Sequence, residues 1–305
     1  MRLGFNLPQI GPAASPEALV KVAQRAEELG YDSLWVTERL LFPINPRTPY
    51  MATPDGSLPD AYKIVFDPIE TLTYVAAHTS KIALGTSVID IPYYNPVMLA
   101  RRLTTLDVLS GGRLRLGMGQ GWSEDEHEAV GASLKGRGKR ADEFISVLKA
   151  IWTTDPVEFK GEFYTVPKSI IQPKPVQKPH PPIYLAAYAP SALKRVATMA
   201  DGWFPAGLPP DTAGQMIDGL KAMAREAGRN PDDLQIVVRA NIEVMNEPRP
   251  ADGFPFTGTL DQIKEDIAGA REYATELHFD PSVSPDGATV EGFLSRMEQM
   301  KELAG

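Results

Sequence analysis

The chain has 305 residues, of which 43% are hydrophobic, so it can bury a sizeable core. It contains no cysteine, which excludes disulfides, thiolate metal clusters and a cysteine nucleophile. With 31 basic and 39 acidic residues the formal charge is −8, which argues against a general nucleic-acid or anionic-membrane binder.

The opening Met1-Arg2-Leu3-Gly4-Phe5-Asn6 carries no sustained apolar stretch, and no run approaches ~18 apolar residues. A cytoplasmic, unexported chain is expected. In chain order, short β-branched apolar runs occupy residues 3–7, 33–37, 82–88, 113–118, 183–187, 202–206, 235–244 and 276–280. Helical patterns separate them, such as Leu19, Val22, Ala23, Ala26 and Leu29 ending at Gly30. Eight strand-like runs alternating with helices predict one α/β domain, a (β/α)8 TIM barrel with insertions. Two stretches break the alternation. Residues 39–66, directly after the second run, hold five prolines and a Pro54-Asp55-Gly56 turn. They would lie on the C-terminal face where barrel active sites sit, so a lid is expected there, with a surface loop as the plainer alternative. Residues 153–182 form a second, proline-dense insertion.

His78, His127, His180 and His278 show no His-x-His or His-Glu-x-x-His spacing, which argues against a zinc or di-metal hydrolase, and no metal site is expected. Glu38 and Asp90 follow the second and third runs. They form either a carboxylate pair, which glycoside hydrolysis needs, or ordinary helix caps. Gly117-Met118-Gly119-Gln120-Gly121-Trp122 is not a dinucleotide-binding fingerprint. Its glycines admit close approach of something flat, or simply make tight turns. Ala186-Ala187-Tyr188-Ala189-Pro190-Ser191 opens a helical pattern whose first-turn amides could bind an anion without a lysine.

Taken in series, several segments resemble the bacterial luciferase-like flavin and deazaflavin oxidoreductases. They include Gly30-Tyr31-Asp32-Ser33-Leu34-Trp35-Val36, Leu84-Gly85-Thr86-Ser87-Val88 and Leu106-Asp107-Val108-Leu109-Ser110-Gly111-Gly112-Arg113. They continue through Gly117 to Trp122, Arg137, Arg140, Trp152, Pro173-Lys174-Pro175-Val176-Gln177, Ala200-Asp201-Gly202-Trp203 and Glu226-Ala227-Gly228-Arg229. The resemblance implies a barrel, commonly a homodimer, holding coenzyme F420 or FMN at the C-terminal ends of its strands, and it favours the deazaflavin.

The resemblance also assigns residues. Thr86, Ser87 and Val88 fall where a non-prolyl cis peptide backs the ring, with Asp90, Gln120 and Gly121 beside it. Ala187, Tyr188, Ala189 and Ser191 match the segment that holds the cofactor phosphate. Glu38 and Arg39 fall where several relatives place an acidic residue and a histidine near the reactive ring. That histidine is missing here, and arginine cannot shuttle protons. Trp122 replaces the catalytic glutamate of the sugar-phosphate branch, which points to a flatter, more apolar substrate. The implied reaction is hydride transfer between F420 and a small organic molecule, with Glu38, Tyr93, Tyr94 or water as proton donor. FMN-dependent monooxygenation and cofactor binding without turnover are the alternatives.

Overall fold

Each of the eight expected runs contributes one strand of a closed, all-parallel barrel in which sequential strands are neighbours and the last pairs with the first. The structure is a computed structural model and describes residues 1–53 and 55–305, so the anticipated turn at Pro54 lies partly outside the described residues. The barrel strands are β1 (Arg2–Asn6), β2 (Ser33–Val36), β3 (Ala83–Asp90), β4 (Leu114–Gly119), β5 (Ile183–Leu185), β6 (Gly202–Trp203), β7 (Gln235–Asn241) and β8 (Glu276–Asp280). No helix among the described residues is long and apolar enough to cross a membrane.

Local sequence explains the helices. In α1 (Pro16–Glu28) the Ser15 hydroxyl accepts the Ala18 N–H, Pro16 starts the first turn, and Leu19, Val22, Ala23 and Ala26 face inward. The same proline-led start, with a capping Asp67 or Asn95, opens α2 (Pro68–Ala76) and α3 (Pro96–Leu109). The remaining helices are α4 (Glu124–Ala129), α5 (Arg137–Thr153), α6 (Pro190–Met199), α7 (Pro210–Glu226), α8 (Leu260–Ala270) and α9 (Val290–Leu303). Their apolar faces and much of the barrel strands share one large core, while Trp35, Tyr184, Phe204 and Val237 form a separate cluster.

Several strands are shorter than their apolar runs, the fifth covering only Ile183–Leu185 of 183–187, and two runs depart in other ways. Residues 235–244 do not form one strand. The chain leaves the barrel after Asn241, and Glu243–Val244 pairs instead with Thr257–Gly258. Of 202–206 only Gly202–Trp203 is regular, followed by a single bridge from Ala206 to Arg239. Apolar content records burial, but the barrel ladder continues only where a neighbour lies in register.

The insertion between α5 and β5 lies at the N-terminal end of the barrel, away from the mouth. It carries an antiparallel pair, Val157–Lys160 with Thr165–Ser169. Its proline tract is anchored by buried Asp107, whose carboxylate accepts the backbone N–H of Val176 at 2.7 Å and the side-chain amide of Gln177 at 2.7 Å. Arg113 of the same motif donates to the carbonyls of Ala76, Thr79, Ile82 and Ser110, tying off the end of α2. Much of the most recognisable sequence motif is therefore structural. Replacing Asp107 with Ala leaves these donors unpaired in a buried site. It should lower stability by about 3 kcal/mol in urea denaturation, while the binding properties of the distant mouth stay unchanged.

Candidate active site

A cavity of about 600 Å³ opens at the C-terminal ends of the strands. It is lined by every predicted site residue except Thr86: Glu38, Arg39, Ser87, Val88, Asp90, Gln120, Gly121, Trp122, Ala187, Tyr188, Ala189 and Ser191. Thr86 is fully buried behind the wall, and its hydroxyl donates to the Gly117 carbonyl at 2.8 Å. Its place in the β3–β4 ladder turns it away from the mouth, so it is a support for the wall and not a lining residue.

The wall is built where β3 presses on β4. The Ser87–Val88 peptide is cis, and the β3–β4 register shifts between Thr86 and Ile89. A Cβ on Gly119 would come within 2.5 Å of Asp90 Oδ1 and 2.8 Å of Val88 Cγ2. At Gly121, where φ is +66°, a Cβ would meet His127 at 2.6 Å and the Tyr93 hydroxyl at 2.9 Å. These two glycines thus admit the protein's own neighbouring strand and loop. The spacing alone left that undecided.

The segment from 37 to 67 crosses the mouth and is tied down at both ends. Buried Gln9 donates to the Thr37 and Phe66 carbonyls, both at 2.9 Å, and accepts the Thr37 N–H at 3.2 Å. In the middle, the Leu40 N–H reaches Glu126 at 2.8 Å, and Arg47 pairs with Asp125 at 3.0 Å. The segment delivers Arg39, Tyr50 and Tyr62 to the cavity. Its tyrosines, and Gln9, were not singled out by the sequence, because their partners are remote along the chain.

Glu38 enters the cavity from the end of β2. Its carboxyl accepts the Asp90 N–H at 2.6 Å and the Tyr94 hydroxyl. Burial, reinforced by the neighbouring Asp90 charge, pushes its pKa up to about 8 against the pull of those two hydrogen bonds. Arg39 does not lower it, because its guanidinium turns to Glu126, 3.2 Å away. Burial likewise raises Asp90 to about 7, although its Oδ1 accepts the Gly121 N–H at 2.8 Å.

Three residues to which the sequence gave no role form one cluster. Arg239 pairs with Asp280, donates to Asn241 at 2.9 Å, and reaches across the barrel to the Ser87 carbonyl at 3.0 Å. It lines the cavity and braces the cis peptide from the opposite wall. His278 beside it stacks on Trp35 at 5.3 Å, and burial pushes its pKa down to about 3, so it stays neutral. His180 packs on Trp152, outside the site.

The residues present fit a flat ring bearing a phosphate. The hydroxyls of Ser87 and Thr37 are buried on the cavity wall without a partner among the described residues. On another side α6 begins at the cavity with no side-chain cap on Ala189. Arg137 and Arg195 line the cavity there. Trp203 donates to the Ala187 carbonyl at 2.7 Å and fixes this turn.

Because Glu38 is protonated more readily folded than unfolded, its contribution to stability is present below pH 4.5 and is lost as pH rises through about 8. Glu38→Gln should therefore flatten stability against pH in that window, by roughly 1.4 kcal/mol per pH unit at most. Denaturation midpoints at pH 5 to 9 measure it.

The family model described as luciferase-like monooxygenase matches residues 1–252. An uncharacterized protein of Mycobacterium tuberculosis is 30% identical, over 93% of each chain. The F420-dependent glucose-6-phosphate dehydrogenase of Amycolatopsis mediterranei is 33% identical, over 62% of this chain and 53% of that one. The FMNH2-dependent dimethylsulfone monooxygenase of Pseudomonas putida is 28% identical, over 69% and 57%. Among solved structures, the monooxygenase RslO1 of Streptomyces bottropensis superposes with a TM-score of 0.80 at 21% identity, over 99% of this chain and 98% of that one.

Proposed function

Since this chain belongs to the luciferase-like monooxygenase family, we propose that it is a coenzyme F420-dependent oxidoreductase, transferring a hydride between the deazaflavin and a small organic substrate. The observation that carries this reading is the Glu38 carboxyl. It is buried, it faces the cavity, and with a pKa near 8 it holds its proton at neutral pH. Hydride reduction of a C=C, C=N or C=O bond needs a proton at the product, and a neutral carboxylic acid in a dry site supplies one. The 33% identical F420-dependent relative supports the same choice of cofactor.

When bound, the deazaflavin supplies two-electron hydride chemistry. The protein's part is alignment, exclusion of water and proton management. Thr37, Ser87 and Val88 would hold the ring against the β3 wall. The first turn of α6, with Arg137 and Arg195, would hold the phosphate. The segment over the mouth would act as a lid that keeps water from the reacting faces. Glu38 donates its proton, and Tyr94, hydrogen-bonded to the same carboxyl, can relay its replacement. Trp122 walls the cavity with an apolar ring, so a sugar phosphate is not the substrate we propose. FMN-dependent monooxygenation is the second reading, favoured by the Pseudomonas relative.

Titration of the apoprotein with F420 and FMN, followed by tryptophan fluorescence, should give F420 binding at least about tenfold tighter than FMN, a gap of 1.4 kcal/mol. Trp122→Phe should remove most of the signal, because Trp35 is fully buried and does not line the cavity. Preference for FMN would move the assignment to oxygen chemistry. Once a reducible substrate is found, the hydride-transfer rate should fall above pH about 8, as Glu38 ionises. Glu38→Gln should remove that limb and lower the rate by about 10²-fold or more.

A further inference from the structure

Beneath the 37–67 segment, one end of the cavity is rich in hydrogen-bond donors and short of acceptors. The Arg39 guanidinium lies 4.7 Å from the ring centre of Trp122 and 5.5 Å from that of Tyr62, with its side chain only 6% exposed. Its Nη2 stands 3.2 Å from Glu126 Oε2 but off the hydrogen-bond direction, so Nε and Nη2 have no hydrogen-bond partner among the described residues. Glu126 is committed elsewhere, accepting the Leu40 N–H at 2.8 Å and the Tyr93 hydroxyl at 3.0 Å. Beside Arg39, the hydroxyls of Tyr50 and Tyr62 are 3.1 Å apart, one donating to the other, which leaves the acceptor's own hydrogen to offer. Both tyrosines line the cavity.

We propose that Arg39 and the Tyr50–Tyr62 pair form a carboxylate-binding end of the cavity, and that the substrate is a planar organic acid. This names the substrate class for the oxidoreductase reading above and rests on it. Nε and Nη2 lie on one edge of the planar guanidinium, the edge that takes both oxygens of a carboxylate, and a ligand there satisfies N–H groups that the protein leaves bare. The rings of Tyr50 and Trp122, 5.5 Å apart, and of Tyr62 flank the site with flat apolar surface suited to a conjugated frame. Arginine at position 39 thus acts as an anchor for substrate charge, a task that needs no proton transfer.

The test uses trans-cinnamate and cinnamamide, which share a shape and differ in charge. Both are titrated calorimetrically into the full-length apoprotein and the F420-loaded protein at pH 7. Wild type should bind cinnamate about tenfold or more tighter than the amide, and Arg39→Met should abolish that preference while changing amide affinity little. Because Arg39→Met leaves Glu126 buried without its counter-charge, the charge-balanced pair Arg39→Met with Glu126→Gln is measured alongside. Equal affinity for acid and amide in the wild-type protein, or a preference that survives in both variants, overturns the proposal. Failure to bind F420 with the acid preference intact overturns the oxidoreductase reading and leaves the carboxylate site standing.

Discussion

The close approach of β3 to β4 sets the rest of the site. Where the two strands meet, the ladder shifts register and the Ser87–Val88 peptide turns its face to the mouth. That approach depends on Gly117, where a Cβ would come within 2.1 Å of the Thr86 carbonyl oxygen, and on Gly119, which has no side chain to strike Asp90 and Val88. Once it is made, Asp90 reaches the Gly121 N–H, the Asp90 N–H reaches Glu38, and Arg239 can meet the Ser87 carbonyl from the opposite side of the barrel. Four strand ends are thereby connected through one short stretch of backbone. A side chain at Gly119 would disturb all of them together.

The electrostatics follow from this geometry. Two carboxyls, Glu38 and Asp90, are brought together in a place where water is scarce, so both hold protons more tightly than they would in solution. Arg39 and Arg137 pull Asp90 back in part, but no cation does the same for Glu38. Arg39 is drawn to Glu126 and Arg239 to Asp280. The site therefore keeps a neutral acid and several guanidinium groups in the same cavity without letting them cancel. Such separation is what acid chemistry on an anionic or carbonyl-bearing ligand needs.

The barrel was legible because its signals are local and repeated. A parallel strand buried on both faces reads as a continuous apolar run, and helices such as α1 carry their own caps and stop residues. The proline-led turn before α6 was legible for the same reason, since Pro190 and the residues around it act within a few positions of one another. Glu38 stood out as an acidic residue at a strand end, and its role, with Arg39 and Trp122, was reached through a linear series of motifs that resembled a family. Their arrival in one cavity agrees with that series, whereas Thr86, two positions from its strand-mate Val88, turned out to face the ladder.

What the sequence determined by itself was the alternation of elements, the mouth at which the strands end, and the residue types available there. Tertiary structure decided which of these residues meet. Gln9 closes both ends of a segment, 28 and 57 residues away, Glu126 claims Arg39 from Glu38, and Arg239 crosses the barrel to brace Ser87. It also gave the glycine motif its purpose, which is to receive β3. The physical reason is range. Propensity, capping and periodicity act over a turn or two of chain, but pKa shifts, ion-pair choice and steric fit depend on groups that only the closed barrel brings within a few ångströms.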